Sequence, residues 1–353
     1  MKKEHILVIR FSAMGDVAMM VPVVYSLAHQ YPDIRITVLS RAFARPFFED
    51  LAPNVGFMVA DLKNEYKGIK GLNALYRRLA AKQFTAVADL HSVLRSNYLR
   101  MRFNLGRYRV EHINKHRKGR RSITSPTHKE LVQQPTSFQN YVDVFAKLGY
   151  PVDIQFKSIF PEEGGNLNML PPELCVKKSY EQWIGVAPFA AHEGKTYPPR
   201  LMMQVIEQLM EKYPKARILL FGRGEQETKY FTEWSAQYAA CVNVGALLET
   251  MHQELILMSH LDVMISMDSS NMHLASLTNT PVVSIWGATH PYAGFMGWGQ
   301  TEENAVQIPL DCRPCSIFGQ KPCLRGDYAC MRNIAPETIV EKVEKVLKVK
   351  NEE

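Results

Sequence analysis

The chain has 353 residues, more than one ordinary hydrophobic core accommodates and enough for two α/β domains. Hydrophobic residues make up 46% and charged residues 22%, which excludes a disordered or fibrous chain, and no apolar run approaches the roughly 20 residues that span a bilayer. The formal charge of +7, from 42 Lys and Arg against 35 Asp and Glu, points to an anionic partner.

Lys2 and Lys3 before an apolar run mimic a short signal peptide. Glu4, His5 and Arg10 interrupt that run, and no small-residue cleavage site follows. The segment reads instead as the first strand of a cytoplasmic protein. Strands are predicted at Ile6–Arg10, Ile34–Leu39, Val55–Ala60 and Ala86–Leu90, with helices at Val17–His29, Ala44–Leu51 and Leu72–Lys82 between them. This alternation predicts a parallel sheet covered by helices. The first strand-to-helix turn, Arg10–Asp16, has a single glycine, so it is neither a dinucleotide-binding turn nor a P-loop. It delivers Asp16 to the tip of the first strand, where a carboxylate serves as an N-cap or as a general base.

Residues 107–121 crowd arginine and lysine around a single Glu111. The run reads as a basic loop, either merely solvated or drawn to an anionic partner. It lacks interleaved aromatics and matches no nucleic-acid module, so nucleic acid ranks low. A helix at Gln139–Leu148 follows, then an irregular stretch, Pro151–Pro172, that reads as a linker.

The pattern restarts with strands at Trp183–Ala187, Ala216–Phe221, Val263–Ser266 and Val282–Trp286. Helices are predicted at Leu201–Lys212, Glu225–Ala239, Asn271–Leu277 and Pro336–Val349. The domains are thus 1–165 and 175–335, with 336–353 a final helix that packs back on the first domain. In such sheets ligands bind at the carboxyl ends of the strands, and a cleft between two of them suits a two-substrate reaction.

Four features of the second half can carry chemistry. Lys195 lies in a flexible loop after the first strand, as a mobile point charge for a phosphate or as an ordinary surface lysine. Gly222 and Glu225 sit in a strand-to-helix turn where a carboxylate can bind ribose hydroxyls. Asp268, Ser269 and Ser270 precede a helix carrying His273, where capping and phosphate binding compete as readings. Cys312, Cys315, Cys323 and Cys330 fall within 19 residues, a spacing compatible with structural zinc or an Fe–S site, or with plain loop cysteines.

Taken together these segments resemble the family of ADP-heptose:lipopolysaccharide heptosyltransferases. The resemblance rests on ILVIRFSAMGDVAMMVPVVYSL, DLHSVLRS, APFAAHEGKTYP, MDSSNMHLASLTNTPVVSIWGATHP and the closing cysteine-containing segment. It implies an α/β GT-B fold, two Rossmann-like doubly wound domains facing a central cleft. It further implies an inverting glycosyltransferase that moves heptose from ADP-heptose to a lipopolysaccharide-core acceptor, with no cofactor required for catalysis. Asp16 matches the catalytic base. Lys195, Thr196, Gly222, Glu225, Asp268, Ser269, Ser270 and His273 fall on the donor side, although Ser270 replaces the usual glycine. Ser12, Gly15, His91, Arg95 and Ser96 fall on the acceptor side. The basic residues Lys115, Arg117 and Arg120 would suit an anionic lipid-linked glycan at the inner face of the inner membrane. The alternatives are a sugar-nucleotide-modifying enzyme on the same architecture and a non-enzymatic binder of anionic glycans.

Overall fold

The computed structural model describes residues 4–352, so Lys2, Lys3 and Glu353 lie outside the described residues. The chain divides into two compact units, one of Met1–Lys115 with Pro135–Ile159 and one of His116–Gln134 with Phe160–Glu353. Among the described residues no helix is long and apolar enough to cross a membrane.

The first unit carries β1 (His5–Ile9), β2 (Arg35–Ser40), β3 (Val55–Val59), β4 (Ala86–Asp89) and β5 (Arg109–His112) in the order β3-β2-β1-β4-β5. Every pairing is parallel. The central strand HILVI is buried along its whole length, as expected of a parallel strand covered on both faces. Leu7 and Ile9 join Val87, Leu99 and Phe103 in one core layer. The order reverses between β1 and β4, which makes their carboxyl ends the switch point where doubly wound sheets bind ligands.

The second unit repeats the design with β6 (Trp183–Ala187), β7 (Arg217–Leu220), β8 (Cys241–Asn243), β9 (Val263–Met267), β10 (Val282–Ile285) and β11 (Ala305–Val306). Their order is β11-β10-β9-β6-β7-β8, again all parallel, with the reversal between β6 and β9. The helix Pro336–Glu352 lies against the helix Pro199–Lys212 and strands β9 to β11 of this same unit. Its Ile339, Val340, Val343, Val346 and Leu347 enter the core, and Lys212 pairs with Glu344 at 2.9 Å. Each such fully buried aliphatic contributes about 1.5–3 kcal/mol.

The basic run is not one loop. It contains strand β5 and, after Lys115, a helix at Arg117–Ile123 that belongs to the second unit. Asn243 caps a further short helix at Val244–Leu247, and Thr250 caps the helix Met251–Met258.

Candidate functional site

In the first unit, the turn after β1 and the turn after β4 meet at the switch point. The guanidinium of Arg10, 5% exposed, pairs with the Asp16 carboxylate at 2.8 Å and donates to the carbonyl of Leu90. Its face lies over the Tyr141 ring, and the Tyr141 hydroxyl donates to the backbone carbonyl of Asp16 at 3.0 Å. Asp16 is therefore fixed through both its side chain and its backbone. Its helix, Met14–Ala18, starts with a carboxylate in the first turn and with Gly15 buried beneath it.

His91 faces this turn from the other strand. Its Nδ1 accepts the N–H of Phe11 at 3.4 Å, which puts the ring proton on Nε2, 3.3 Å from the hydroxyl of Ser12. Ser12 can then donate its own proton to a third group. Asp89 organises the turn from below: one oxygen accepts the N–H groups of His91 and Ser92, and the other takes Arg100 at 3.3 Å. Lys115 reaches the carbonyl of Ser92 at 3.3 Å.

Two residues assigned to the acceptor side, Ser96 and Arg120, are buried and engaged elsewhere. Ser96 is fully buried, and its hydroxyl bonds the backbone of Val93 at the start of the helix Leu94–Leu105. It has no surface to offer a sugar. Arg120 is also buried, stacked 4.4 Å above the Phe295 ring of the second unit. Arg95 and Arg117 are exposed.

Burial, reinforced by the positive charges of Arg10 and Lys115, drives the His91 pKa down to about 3. His290, buried near Arg313, falls to about 4 for the same two reasons. Below the ordinary histidine value the unfolded chain takes up protons that these two rings refuse until about pH 3–4. Stability should therefore be complete above about pH 6.5 and fall as pH drops through that window. Thermal melts from pH 7 to 4 should show this decline, and His91→Gln should remove about one proton from its slope. An unchanged slope would mean that His91 titrates normally.

In the second unit the switch point holds an ion pair. Lys195, in the loop after β6, meets Asp268, just past β9, at 3.1 Å, with side-chain exposures of 16% and 7%. Asp268 also accepts the hydroxyl of Thr289 at 2.8 Å. Thr196 closes the loop by accepting from Ala190 N–H at 3.3 Å and donating to the carbonyl of His192 at 3.2 Å. Ser269 occupies the N-cap position of the helix Ser270–Leu277, but its hydroxyl bonds no helix N–H; its neighbour is the Ser266 hydroxyl at 3.4 Å. Neither Asp268 nor Ser269 is spent on capping. His273 is buried as the fourth residue of that helix.

The turn after β7 is arranged differently. Glu227 folds back so that one carboxylate oxygen accepts the N–H groups of Arg223 and Gly224. Gly222 has φ +156°, and a Cβ there would lie 2.8 Å from that oxygen. Glu227 thus already fills the anion-binding position of this turn. Glu225, two residues earlier in the same first turn, is exposed and clear of that contact.

The cysteine loop supports the lysine. Cys315 and Ser316 N–H groups donate to the carbonyl of Ala288, whose own N–H bonds Gly194 at 2.8 Å. Arg313 anchors the segment by donating to the carbonyls of Gly287 and Thr289. Cys312, Cys315, Cys323 and Cys330 are free thiols around one cavity of about 10 Å³ that Arg313, Lys321 and Arg325 also line. The Cys315 thiol donates toward the carbonyl of Ala288 at 3.9 Å, and burial raises the Cys330 pKa to about 11. Among the described residues no group of three or more His, Cys, Asp or Glu is placed to hold a metal ion. The thiols whose spacing is compatible with zinc, with an Fe–S site or with plain loop cysteines gather around one cavity but, among the described residues, are not placed as a ligand set.

Gly319 of the same loop has φ +80°, and a Cβ there would lie 2.4 Å from Cδ of Lys195. Gly319→Ala combines a strained backbone, about 1–2 kcal/mol, with displacement of the lysine. We expect a lower melting temperature and a severalfold loss of ADP affinity by calorimetry. Retained affinity with lowered stability would show that the loop yields without moving Lys195.

Residues 72–325 match the model of glycosyltransferase family 9 (heptosyltransferase). Lipooligosaccharide heptosyltransferase 2 of Campylobacter jejuni is 28% identical over 137 residues, which cover 37% of this chain and only 41% of that protein's length. A family 9 glycosyltransferase structure from Veillonella parvula superimposes with a TM-score of 0.74 at 17% identity, covering 99% of this chain and 98% of that one. The Escherichia coli heptosyltransferase WaaC with ADP gives 0.68 at 15% identity, covering 97% and 99%. The two parallel sheets are Rossmann-like units of the GT-B type. The chain belongs to glycosyltransferase family 9, the heptosyltransferase family.

Proposed function

We propose that the protein transfers heptose from ADP-heptose to a hydroxyl of a lipopolysaccharide-core or related glycan, with inversion at the anomeric carbon. The observation that carries this reading is the Lys195–Asp268 pair at the switch point of the second sheet, beside a helix start left uncapped by its own serine. The donor diphosphate would take Lys195 as counter-charge, with N–H groups at the start of Ser270–Leu277 completing its cradle. Asp16 would accept the proton of the acceptor hydroxyl as that oxygen attacks the anomeric carbon. The carbon–oxygen bond to the diphosphate breaks on the opposite face, and ADP leaves with the electron pair, its charge stabilised by Lys195. Ser12, oriented by His91, would hold the acceptor sugar, with Lys115 and Arg117 attracting its anionic groups.

The solved WaaC complex contains ADP, which supports an adenine nucleotide as the donor carrier here. Inversion follows from a single displacement with one base, and Asp16 is the carboxylate that the first switch point presents. The test is direct. The protein is incubated with ADP-heptose and a deacylated core oligosaccharide, ADP release is followed, and the new anomeric linkage is assigned by NMR. Acceptor-dependent ADP release with an inverted linkage is expected. A retained anomer would overturn the single displacement. Donor turnover without acceptor would favour a sugar-nucleotide-modifying enzyme, and binding without turnover would favour a glycan-binding protein.

A further inference from the structure

The amino-terminal ends of the second sheet carry a cavity that the transfer reaction does not use. It has a volume of about 390 Å³ and is lined by Lys177, Lys178, Lys348 and Lys350 against two carboxylates, Glu181 and Asp262. Gln182 directly precedes β6 and Asp262 directly precedes β9, whereas Lys195 and Asp268 follow those strands. The strands are parallel, so a five-residue strand, about 16 Å, separates this cavity from the proposed donor edge.

Both carboxylates are already engaged. Asp262 accepts Lys177 at 2.7 Å, the backbone N–H of Trp183 at 2.7 Å and Lys350 at 3.3 Å. Glu181 accepts the Trp183 indole N–H at 3.2 Å and lies 3.8 Å from Lys178. Lys177 and Lys350 also donate to the carbonyls of His260 and Leu261. Among the described residues Lys348 forms no ion pair, and Lys178 is 60% exposed, with a long contact to Glu181 and its ammonium 5.8 Å from the centre of the Tyr180 ring. Four cations against two carboxylates leave a surplus of two positive charges facing one concave space. Ser179, Gln182 and Tyr213 line the same space with neutral donor groups. A lysine as deeply placed as Lys177, with its stem covered and its head held by Asp262, is not there for solubility.

We propose that this cavity is a second anion site, separate from the donor edge, that binds the phosphate group of a phosphorylated molecule. Two protonated amines beside neutral hydroxyl and amide donors match a compact, multiply charged oxyanion. A soluble phosphate ester and an anionic lipid headgroup offer the same chemistry, and two measurements distinguish them.

The full chain, saturated with ADP to occupy the donor site, is titrated with inorganic phosphate by calorimetry. Saturable binding is expected, weakened tenfold or more in the double variant Lys178→Glu, Lys348→Glu, and unchanged in Lys195→Ala. Both replaced lysines are exposed and lie away from the reacting groups, so the melting temperature should hold. Co-sedimentation with vesicles of phosphatidylglycerol in phosphatidylcholine is measured in parallel. Vesicle binding that the double variant abolishes and free phosphate displaces assigns a lipid source; phosphate binding without vesicle binding assigns a soluble one. Equal phosphate affinity in wild type and double variant, loss of binding in Lys195→Ala, or no binding of either probe would overturn the proposal.

Discussion

Replacing Asp16 by Asn should lower kcat about 10²–10⁴-fold, the range that a positioned general base supplies, while ADP affinity stays nearly intact. The carboxylate is held against Arg10 at 2.8 Å, and the adjacent backbone is held by Tyr141, yet its side chain keeps 26% exposure. It is fixed in position and still open to an incoming hydroxyl. Asparagine preserves the shape and can still accept from Arg10, but it cannot take a proton. The competing account makes Asp16 only the counter-charge of a buried arginine. Removing one partner of a buried pair costs about 3–5 kcal/mol, and partial exposure of Asp16 reduces that here. On the competing account Asp16→Asn and Arg10→Gln would lose stability alike, and activity would follow the folded fraction. On the catalytic account the folded Asp16→Asn protein, verified by its melting curve and by ADP calorimetry, is inactive. Near-normal turnover by that folded variant would remove Asp16 from the base role.

What the sequence made legible follows from where each residue's partners lie. The central strands of both sheets were readable because a parallel strand buried on both faces is a nearly continuous apolar run, as in HILVI and WIGVA. The edges were not. β5 reads RVEH and is largely uncovered, while β8 and β11 have three and two residues, too few for any period to show. The helix Leu94–Leu105 hid for a related reason, since only Ser96, Leu99 and Phe103 of its length are buried. Charge density made residues 107–121 look like one loop and masked the strand and helix within it. At the site, Asp16, Lys195 and Asp268 could be singled out because each lies between a readable strand and the helix that follows it. Arg10, Tyr141, Thr289 and Gly319 could not, because what each does depends on a distant segment. Tyr141 meets Asp16 across 125 residues, and Gly319 meets Lys195 only through the folded cysteine loop. The capping reading of Asp268 and Ser269 was resolved by geometry alone, since neither hydroxyl nor carboxylate turns toward the helix it precedes.

Lys195→Ala should weaken ADP binding by about 10- to 150-fold while leaving adenosine binding unchanged. A charge-assisted hydrogen bond contributes about 1.5–3 kcal/mol, and each 1.4 kcal/mol is tenfold in affinity. The contrast between ADP and adenosine isolates the diphosphate, because both share the base and ribose. The pair Lys195–Asp268 is largely buried, so salt should screen the effect little, unlike that of exposed lysines. Lys195→Arg should not restore affinity: a planar fork does not replace a compact ammonium, and the stem runs against Gly319, where little room remains. Loss of Lys195 also leaves Asp268 with Thr289 as its remaining side-chain partner, so the variant's melting temperature should fall, and ADP should no longer raise it as far. Ser269→Ala removes a neutral hydroxyl and should cost about 0.5–1.5 kcal/mol of ADP affinity, clearly less than the lysine. Calorimetry with both ligands on the three variants decides between accounts. Equal losses for ADP and adenosine would indicate a collapsed unit rather than a missing charge. Unchanged ADP affinity in Lys195→Ala would place the donor diphosphate away from the second sheet's switch point, and the transfer reading of this ion pair would fall with it.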